Sequence, residues 1–457
     1  GYMTNNNSAI ESATAVGAHT NADGKGAAAY GHGANATGTS TTAIGSKSQA
    51  TADGATAVGN YAKATGTSAI AIGGDDTYSE DTAAAKASAS AAIAIGKKAN
   101  ASGASATAIG DGTTASGTAT VAVGKAAQAD LDNDNAFGNY VHANAGGATA
   151  IGYIVNTTGN QAFGGGSKTN VSGSAAVGIG YMSEVSGNRA VGLGSELSGT
   201  KNTASGDYSV AIGAAAQGTE EGATAIGKQA TASKSDTVAV GTSAAASDRY
   251  TVAIGKSATA GNNSAVAIGN GANVTGYASI AIGNSASATS GATVVVGDGA
   301  SSTQSLGTAL GKGAKVTHQD SVALGADSET GAATNTSTMT IAGKSYTLAG
   351  GTAGGTVSIG SATKKRTLTN LAAGTVSAAS TDAVNGSQLY AVAQAAESTA
   401  TALTSVSTAV TSVSTSLTSV STAASSALVK ATSAESKAVA AAATANATST
   451  ALTSVST

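Results

Sequence analysis

The chain has 457 residues, of which 62 are Gly and none is Pro, Cys or Trp, and only 10% are charged, where about 25% is usual. Side chains this small cannot fill a thick globular core at native packing density. The apolar share of 41% and the net charge of −3 also lie far from the composition of disordered chains. The composition therefore predicts a thin, repetitive architecture.

Charge and cysteine content exclude several classes of function. The 22 Lys and Arg are balanced by 25 Asp and Glu, so we expect no nucleic-acid partner. The absence of Cys excludes disulfides, thiol catalysis and most structural zinc sites. The sequence contains no run of about 18 apolar residues, so it predicts no transmembrane helix. The first residues lack a signal-peptide pattern, so we expect a mature or excised piece of a longer protein.

Glycines that close a short apolar run recur along most of the chain, from Gly17 to Gly325. The sequence pattern places Gly164, Gly178 and Gly192 in this series. Of its 21 intervals, 18 are 14 residues long and the others are 23, 12 and 21. A period this regular is typical of a solenoid built from one supersecondary unit.

Each repeat alternates in hydrophobicity, as in Val266-Ala267-Ile268-Gly269. This alternation predicts two short strands per repeat, each of about five residues. The closing glycine marks one turn, and a second glycine such as Gly276 marks the other. We expect the bulky pair Val266 and Ile268 to fill the interior, and the alanine face to be approached by another chain. The prediction is a self-associating parallel β-roll.

From Leu389 onward the apolar period changes to alternating spacings of three and four residues, which predicts a coiled coil. Valine at the second core position favours three or four strands over two. The register continues to the last residue without a helix cap, which suggests truncation. The predicted stalk core contains Leu403, Val406, Val410, Val413, Leu417 and Val420.

The segment between these two patterns breaks both periods. Two short strand-like runs, 338–341 and 345–348, flank Ala342-Gly343-Lys344 and predict a β-hairpin. Residues 356–360 predict another strand. Lys364-Lys365-Arg366 is the only basic run of the sequence.

The string Ser380-Thr-Asp-Ala-Val-Asn-Gly-Ser-Gln-Leu389, preceded by 366–376, closely resembles the neck of YadA-like trimeric autotransporter adhesins. The repeats resemble the head motif of that family, as in Ser209-Val-Ala-Ile-Gly213 and Ser321-Val-Ala-Leu-Gly325. Head, neck and stalk together cover almost the whole chain. The resemblance implies a homotrimer of left-handed parallel β-rolls on a coiled-coil stalk at a Gram-negative cell surface.

The resemblance also implies the function and its setting. We expect an adhesin without catalysis, cofactor or metal, whose partners are host extracellular-matrix proteins or cell-surface receptors. Contact with the membrane would require a C-terminal outer-membrane anchor, a segment that the sequence does not show. The expected domains are a head at 1–327, a connector and neck at 328–388, and a stalk at 389–457.

Five residues match the neck and trimerisation positions of the family: Asp382, Asn385, Gln388, Leu389 and Val392. In such proteins these positions link the chains where wide rolls narrow onto a thin coil. Asn385 also lies seven residues before Val392, on the core track, where a buried polar side chain fixes register. The alternative is an ordinary helix start capped by Ser380, Thr381 or Asp382; both roles can coexist.

The breaks in the period predict loops. The 23-residue interval inserts nine residues within 74–92, and the 21-residue interval inserts seven within 193–210. Mixed charge beside Tyr suits polar recognition, although neutral insertions at a turn, or ligand contact with the repeated strands, are alternatives. The candidate ligand-binding residues are Asp75, Asp76, Tyr78, Glu80, Asp81, Glu196, Lys201, Asp207 and Tyr208.

Other motifs give weaker predictions. The run 130–135 resembles the start of a calcium loop but lacks its glycine and its final glutamate, so a solvated acidic loop is the main interpretation and a looser site stays open. Lysines directly after closing glycines predict either solvated turns or a cationic stripe: Lys97, Lys125, Lys228, Lys256 and Lys312. A structural or ice-binding solenoid is the second hypothesis for function, and regular threonine ranks on one outward strand would favour it.

Overall fold

The computed structural model describes residues 5–6, 11–74 and 84–456. They form two compact units: Gly1–Thr334 with Ala353–Arg366, and Asn335–Thr352 with Thr367–Thr457. The first unit is a parallel β-solenoid and the second contains a hairpin and one long helix. This confirms the predicted β-roll followed by a helix.

Every coil of the solenoid contributes one strand to each of two parallel sheets. The narrow sheet consists of two-residue strands: Asn5–Asn6, Asn21–Ala22, Asn35–Ala36, Gln49–Ala50, Lys63–Ala64, Lys86–Ala87, Asn100–Ala101, Thr114–Ala115, Gln128–Ala129, His142–Ala143, Asn156–Thr157, Asn170–Val171, Glu184–Val185, Thr203–Ala204, Gln217–Gly218, Thr231–Ala232, Ala245–Ala246, Thr259–Ala260, Asn273–Val274, Ser287–Ala288, Ser301–Ser302 and Lys315–Val316.

The wide sheet consists mostly of three-residue strands: Thr14–Val16, Ala28–Tyr30, Thr42–Ile44, Thr56–Val58, Ile70–Ile72, Ile93–Ile95, Thr107–Ile109, Val121–Val123, Asn135–Asn139, Thr149–Tyr153, Phe163–Ser167, Val177–Tyr181, Val191–Leu193, Val210–Ile212, Thr224–Ile226, Val238–Val240, Val252–Ile254, Val266–Ile268, Ile280–Ile282, Val294–Val296, Thr308–Leu310, Val322–Leu324 and Val357–Ser358. Both kinds of strand are shorter than predicted, because the turns take up about nine of the fourteen residues of most coils.

The closing glycines are required by backbone conformation and by space. Gly255 has φ +131°, and a Cβ built there would lie 2.4 Å from the carbonyl oxygen of Gly269 in the next coil. At the other turn, a Cβ on Gly276 would lie 1.9 Å from the carbonyl oxygen of Ser290. Both turns therefore fall where the glycines predicted them.

The orientation of the strands is the reverse of the prediction. Ala267 is fully buried inside the coil, whereas its neighbours Val266 and Ile268 point outward and are half-exposed. The interior core of the solenoid is almost entirely alanine, joined by a few valines. The two sheets stack so closely that little more than a methyl group from each strand fits between them, so the bulky residues must lie outside.

The strand register also corrects the repeat assignment. Gly152 pairs with Gly166, and Ala150 pairs with Gly164. Three consecutive glycines at 164–166 made the closing one ambiguous in the sequence. Gly164, Gly178 and Gly192 are therefore interior residues. The closing glycines are spaced by 14 residues without interruption from Gly96 to Gly194. Val191 pairs with Val210, which leaves one interval of 19 residues and an insertion of five, not seven.

The last part of the first unit returns to the β-roll and covers its end. Val357–Ser358 pairs in parallel with the last complete strand of the wide sheet, Val322–Leu324. The Arg366 guanidinium donates to the carbonyl of Ile359 and to the hydroxyl of Ser328, at 2.6 and 3.0 Å. Lys364 pairs with Asp327. Residues of the basic run thus hold the segment 353–366 against the end of the β-roll by hydrogen bonds and an ion pair.

The second unit contains the predicted hairpin, Thr338–Ile341 paired with Lys344–Thr347 across a turn at Ala342-Gly343. Its helix runs for 70 residues, Gly386–Val455, and has no buried residue. Among the described residues, no helix combines the length and the hydropathy that a membrane crossing requires.

Candidate functional site

The outer face of the wide sheet carries a continuous row of large apolar side chains. The third residue of nearly every strand supplies one, with exposures such as 42% at Ile44, 38% at Ile254 and 46% at Leu324. The row comprises Val16, Tyr30, Ile44, Val58, Ile72, Ile95, Ile109, Val123, Phe137, Ile151, Ile179, Leu193, Ile212, Ile226, Val240, Ile254, Ile268, Ile282, Val296, Leu310 and Leu324. Contiguous apolar surfaces of this extent mark interaction sites.

One coil lacks a large residue in this row, and a neighbour compensates. Gly165 occupies the third position of its strand, Phe163–Ser167. A Cβ on Gly165 would lie 3.2 Å from Cε1 of Phe163 and 3.7 Å from Ile179. The ring of Phe163 therefore lies beside the vacant position and contributes apolar volume where the row would otherwise be interrupted.

The outer face of the narrow sheet is polar. Its first strand residues form ladders between coils, as in Asn21 to Asn35 and Asn156 to Asn170, each with an amide hydrogen bond of 3.0 Å. The following residue on the same face is Ser or Thr in most coils, for example Thr275, but Asp130, Asn144 and Gly261 interrupt that rank. The threonines near this sheet do not share one rank, since Thr231 and Thr259 are outward strand residues whereas Thr113 is buried.

The two predicted insertions differ in what the structure describes. The first, with Asp75, Asp76, Tyr78, Glu80 and Asp81, lies outside the described residues. The second insertion forms a short loop that is closed by an antiparallel β-bridge between Leu197 and Thr200. The Glu196 carboxylate accepts from the Gly199 N–H at 2.6 Å, and the Lys201 ammonium contacts the Glu184 carboxylate at 2.6 Å.

The other two candidates near this insertion belong to the opposite turn of the coil. Asp207 and Tyr208 follow a narrow-sheet strand, whereas Glu196 follows a wide-sheet strand. The Asp207 carboxylate accepts from the Asn188 backbone N–H at 2.9 Å and from the Asn188 amide, which lowers the pKa of Asp207. Arg189 donates to the Tyr208 hydroxyl at 2.9 Å. The structure therefore does not bring the four candidates into one site.

The neck residues hold the segment 371–375 against the start of the helix. Gln388 forms two bonds with Gly374, donating to its carbonyl at 2.6 Å and accepting from its N–H at 3.1 Å. Asn385 donates to the Leu371 carbonyl at 3.1 Å. Asp382 accepts from the Thr375 N–H at 2.9 Å, and this bond lowers the pKa of the carboxyl. All three side chains thus bind backbone of their own chain.

The helix cap is Asn385, so the alternative assignment to Ser380, Thr381 or Asp382 is wrong. The Asn385 side chain accepts from the Gln388 N–H, and the Gln388 side chain accepts from the Asn385 N–H, which makes a capping box. A capping box requires Glu or Gln three residues after the cap. Gln388 follows Asn385 at this spacing, whereas the residues three positions after the earlier candidates are Ala383, Val384 and Asn385.

No residue of the described ranges buries the apolar stripe of the helix. Leu389 and Val392 are 66% and 65% exposed, and the predicted stalk core is exposed to the same degree, between 59% and 69%: Leu403, Val406, Val410, Val413, Leu417 and Val420. A helix with an uncovered stripe at heptad spacing is stabilised by association with further helices.

The acidic run 130–135 is used structurally. Asp134 is fully buried and accepts from the N–H groups of Leu131, Ala145 and Ala148, and its burial raises the pKa of the carboxyl. Asp130 contacts the imidazole of His142 at 2.7 Å. No group of three or more acidic or His side chains in the described ranges is arranged to hold a metal. Other coils have Ala, Ser, Thr or Gly at the repeat position of Asp134, so a buried carboxylate could have been suspected from the sequence, but its backbone partners could not.

The lysines that follow closing glycines do not stack on one another. Asp111 lies between Lys97 and Lys125 in the stack of coils, and Asp298 lies one coil before Lys312 at 3.7 Å. The lysines along this edge are therefore separated by uncharged or acidic residues, and they do not form the continuous cationic stripe that was one prediction.

Comparison with known proteins matches both parts of the chain. A family model described as the coiled stalk of trimeric autotransporter adhesin matches 367–412. A model of the YadA head domain repeat matches 36–62, 50–75, 87–113, 198–216, 219–244, 246–272 and 305–328. Autotransporter adhesin BtaE of Brucella suis is 52% identical over 75 residues, which are 16% of this chain and only 10% of that protein.

Two solved structures are also similar. A C-terminal YadA-like domain from Burkholderia pseudomallei is 35% identical and covers 28% of this chain and 54% of that one, with a TM-score of 0.24. The collagen-binding domain of the Yersinia adhesin YadA is 20% identical and covers 59% and 84%, with a TM-score of 0.17. Since the head-repeat matches precede the stalk match along the chain, as the sequence predicted, the chain belongs to the YadA-like trimeric autotransporter adhesins.

Proposed function

We propose that the chain is the head, neck and part of the stalk of a homotrimeric adhesin that attaches bacteria to host extracellular-matrix proteins, host cells or other bacteria. The observation that supports this most directly is the apolar outer face of the wide sheet, which stays exposed in the part of the β-roll that the structure describes. The uncovered stripe of the helix supports the same oligomer. In the full-length protein, a C-terminal anchor would hold the trimer in the outer membrane.

In this trimer, the three wide sheets face a common axis and bury their isoleucine and valine rows against one another. Burial of about half of one such side chain contributes on the order of 1 kcal/mol, and every coil supplies one. The narrow sheets, with their Asn, Thr and Lys ladders, then face the solvent. Ligands would meet the narrow sheet, the turns and the insertions.

Two locations on this outer surface are proposed for ligand contact. The first is the pair of insertions, including Glu196 and Lys201, together with the neighbouring turn at Asp207 and Tyr208. The second is the repeated narrow-sheet face. Each location occurs three times in a trimer, so weak individual contacts would combine through multivalency. Recognition of this kind needs no catalytic residue or cofactor.

A solid-phase binding screen tests the function. The molar mass of the protein in solution is first measured by light scattering, and we expect about three times the chain mass of 42.6 kDa. The trimer is then tested against collagens, fibronectin, laminin and host glycans, with binding expected to at least one. A protein that is monomeric at micromolar concentration would contradict the proposal. A trimer that binds neither these ligands nor cells would contradict it as well.

Deletions locate the ligand contact. Removal of 196–200 restores the 14-residue spacing between Gly194 and Gly213, and removal of 75–83 restores it between Gly73 and Gly96. If a deletion abolishes binding while the trimer persists, that insertion is the site. If binding survives both deletions, the repeated face becomes the leading candidate.

A further inference from the structure

The distal part of the stalk has an unusually thin core. Between Val420 and Thr448, every heptad core position is alanine: Ala424, Ala427, Ala431, Ala434, Ala438, Ala441 and Ala445. An alanine buries only one methyl group, so this segment gains much less from association than the Leu and Val layers before it. The helix nevertheless continues through it without interruption, Gly386–Val455.

Alanine alone also leaves the alignment of neighbouring helices undefined. Further alanines lie off the stripe, at 440, 442, 443 and 447, so other faces of the helix are equally apolar and equally small. The larger residues Leu428, Val429 and Val439 lie outside the core positions. Hydrophobic packing within this segment therefore distinguishes one register from another only weakly, and the Leu and Val layers that restrict the register lie outside it.

Three charged residues lie beside this thin core, Lys430, Glu435 and Lys437. Lys430 directly precedes the core residue Ala431, and Glu435 lies five residues after Lys430, on the other side of the stripe. Five residues correspond to about 140° around a helix, so the two side chains cannot meet on one chain. All residues three and four positions from either of them are uncharged, so neither has an oppositely charged neighbour on its own helix. Both are exposed.

We propose that Lys430 of one chain pairs with Glu435 of the neighbouring copy and fixes the register of the alanine segment. The inference rests on the proposed homotrimer. In a parallel coiled coil, the residue before one core position faces the residue five places later on the adjacent helix. The pair fits a parallel alignment, because an antiparallel one would bring Lys430 against Lys430. Three such pairs form around the stalk of a trimer.

Charge exchange tests the pairing on the full chain. Lys430→Glu and Glu435→Lys each place like charges opposite one another, and the double variant restores opposite charges with reversed positions. Lys437→Glu is the matched control, because Lys437 has the same heptad position but faces Ala442. Hydrogen exchange of the amides in 424–448 is measured by mass spectrometry, with light scattering of every variant.

We expect each single variant to raise amide exchange in 424–448 by about tenfold, the combined effect of three solvent-exposed pairs. The double variant should return to the wild-type rate, and Lys437→Glu should remain near it. Equal exchange in Lys430→Glu and Lys437→Glu, or no recovery in the double variant, overturns the pairing while the trimer stands. A wild-type chain that is monomeric by light scattering overturns the proposed trimer itself.

Discussion

Val171 and Gly178 face each other across the coil interior and share one volume. A Cβ built on Gly178 would lie 2.4 Å from Cγ2 of Val171. Elsewhere the two sheets present alanine to alanine, for example Ala253 and Ala260, both fully buried. The same exchange recurs at Gly192, whose Cβ would lie 2.4 Å from Cγ2 of Val185. In these coils a larger side chain in the narrow sheet is matched by glycine in the wide sheet, whereas Val274 and Val316 face alanine at 281 and 323.

Gly178→Ala should therefore destabilise the β-roll, although alanine is the usual residue at this position. In the conformation that Val171 adopts, the added methyl group would lie 2.4 Å from its Cγ2, and overpacking of this kind costs about 1–3 kcal/mol. Thermal unfolding followed by circular dichroism measures the loss.

A double variant separates this clash from other effects. Val171→Ala with Gly178→Ala recreates the alanine pair of the other coils, so the double variant should be more stable than Gly178→Ala. The expected coupling is about 0.5–3 kcal/mol. Strictly additive effects of the two substitutions would show that the residues do not share space.

The closing glycines should tolerate no side chain, in contrast to the glycines two positions later. Gly255→Ala introduces a Cβ 2.4 Å from a carbonyl oxygen at φ +131°, and such backbone strain alone costs about 1–3 kcal/mol. Gly271→Ser is the control, because Ser257 and Ser285 occupy the same position in the adjacent coils, with φ 55° and 52°. A similar unfolding temperature for both variants would contradict this account.

The fold could be predicted largely because its information is periodic. The spacing of glycines such as Gly255 and Gly269 fixes the length of a coil, and the heptads fix the helix. The orientation of Val266-Ala267-Ile268 could not be predicted from alternation, because a period of two separates the faces without saying which one is inside. That choice depends on the distance between the sheets, a tertiary property.

The candidate site could be predicted from the sequence only in part. Three consecutive glycines at 164–166 allowed two assignments of the closing residue, and the error moved Asp207 and Tyr208 into an insertion to which they do not belong. The neck was predictable at the level of residues, since Asp382, Asn385 and Gln388 match a motif. Their partners, the backbone groups of 371–375, carry no side-chain signal.

Gln388→Ala should loosen the neck without melting the stalk. The substitution removes the second half of the capping box and both bonds to Gly374, each worth about 1 kcal/mol. We expect the amides of Gly374 and Thr375 to exchange about tenfold faster or more, since 1.4 kcal/mol corresponds to tenfold. Gln394→Ala, on the exposed helix surface with a bond only to Tyr390, should leave them unchanged. Equal exchange in both variants would refute this role.

Asp134 should make the stability of the β-roll depend on pH. Burial raises the pKa of this carboxyl in the folded state above its ordinary value of 3.8. The folded state therefore binds the proton more tightly than the unfolded state, and the contribution to stability is present below the ordinary pKa and lost as pH rises through the raised one. Asp134→Asn cannot ionise, so wild type should lose stability relative to this variant between pH 3 and pH 7. A constant difference in unfolding temperature across this range would contradict the prediction.

Cysteine accessibility can decide which face of the β-roll is covered in the assembled protein, because the chain has no cysteine of its own. Ile268 and Asn273 belong to the same coil, the first on the outer face of the wide sheet and the second on that of the narrow sheet, and both are half-exposed in the single chain. If three wide sheets meet at the trimer axis, Ile268→Cys should react with a maleimide more slowly than Asn273→Cys by on the order of tenfold or more, since labelling then requires local opening. Mild denaturation should bring the two rates together. If both cysteines of the native trimer react at the same rate, its chains do not associate through the isoleucine row. Slow labelling of Asn273→Cys alone would indicate the opposite arrangement, with the narrow sheets inside.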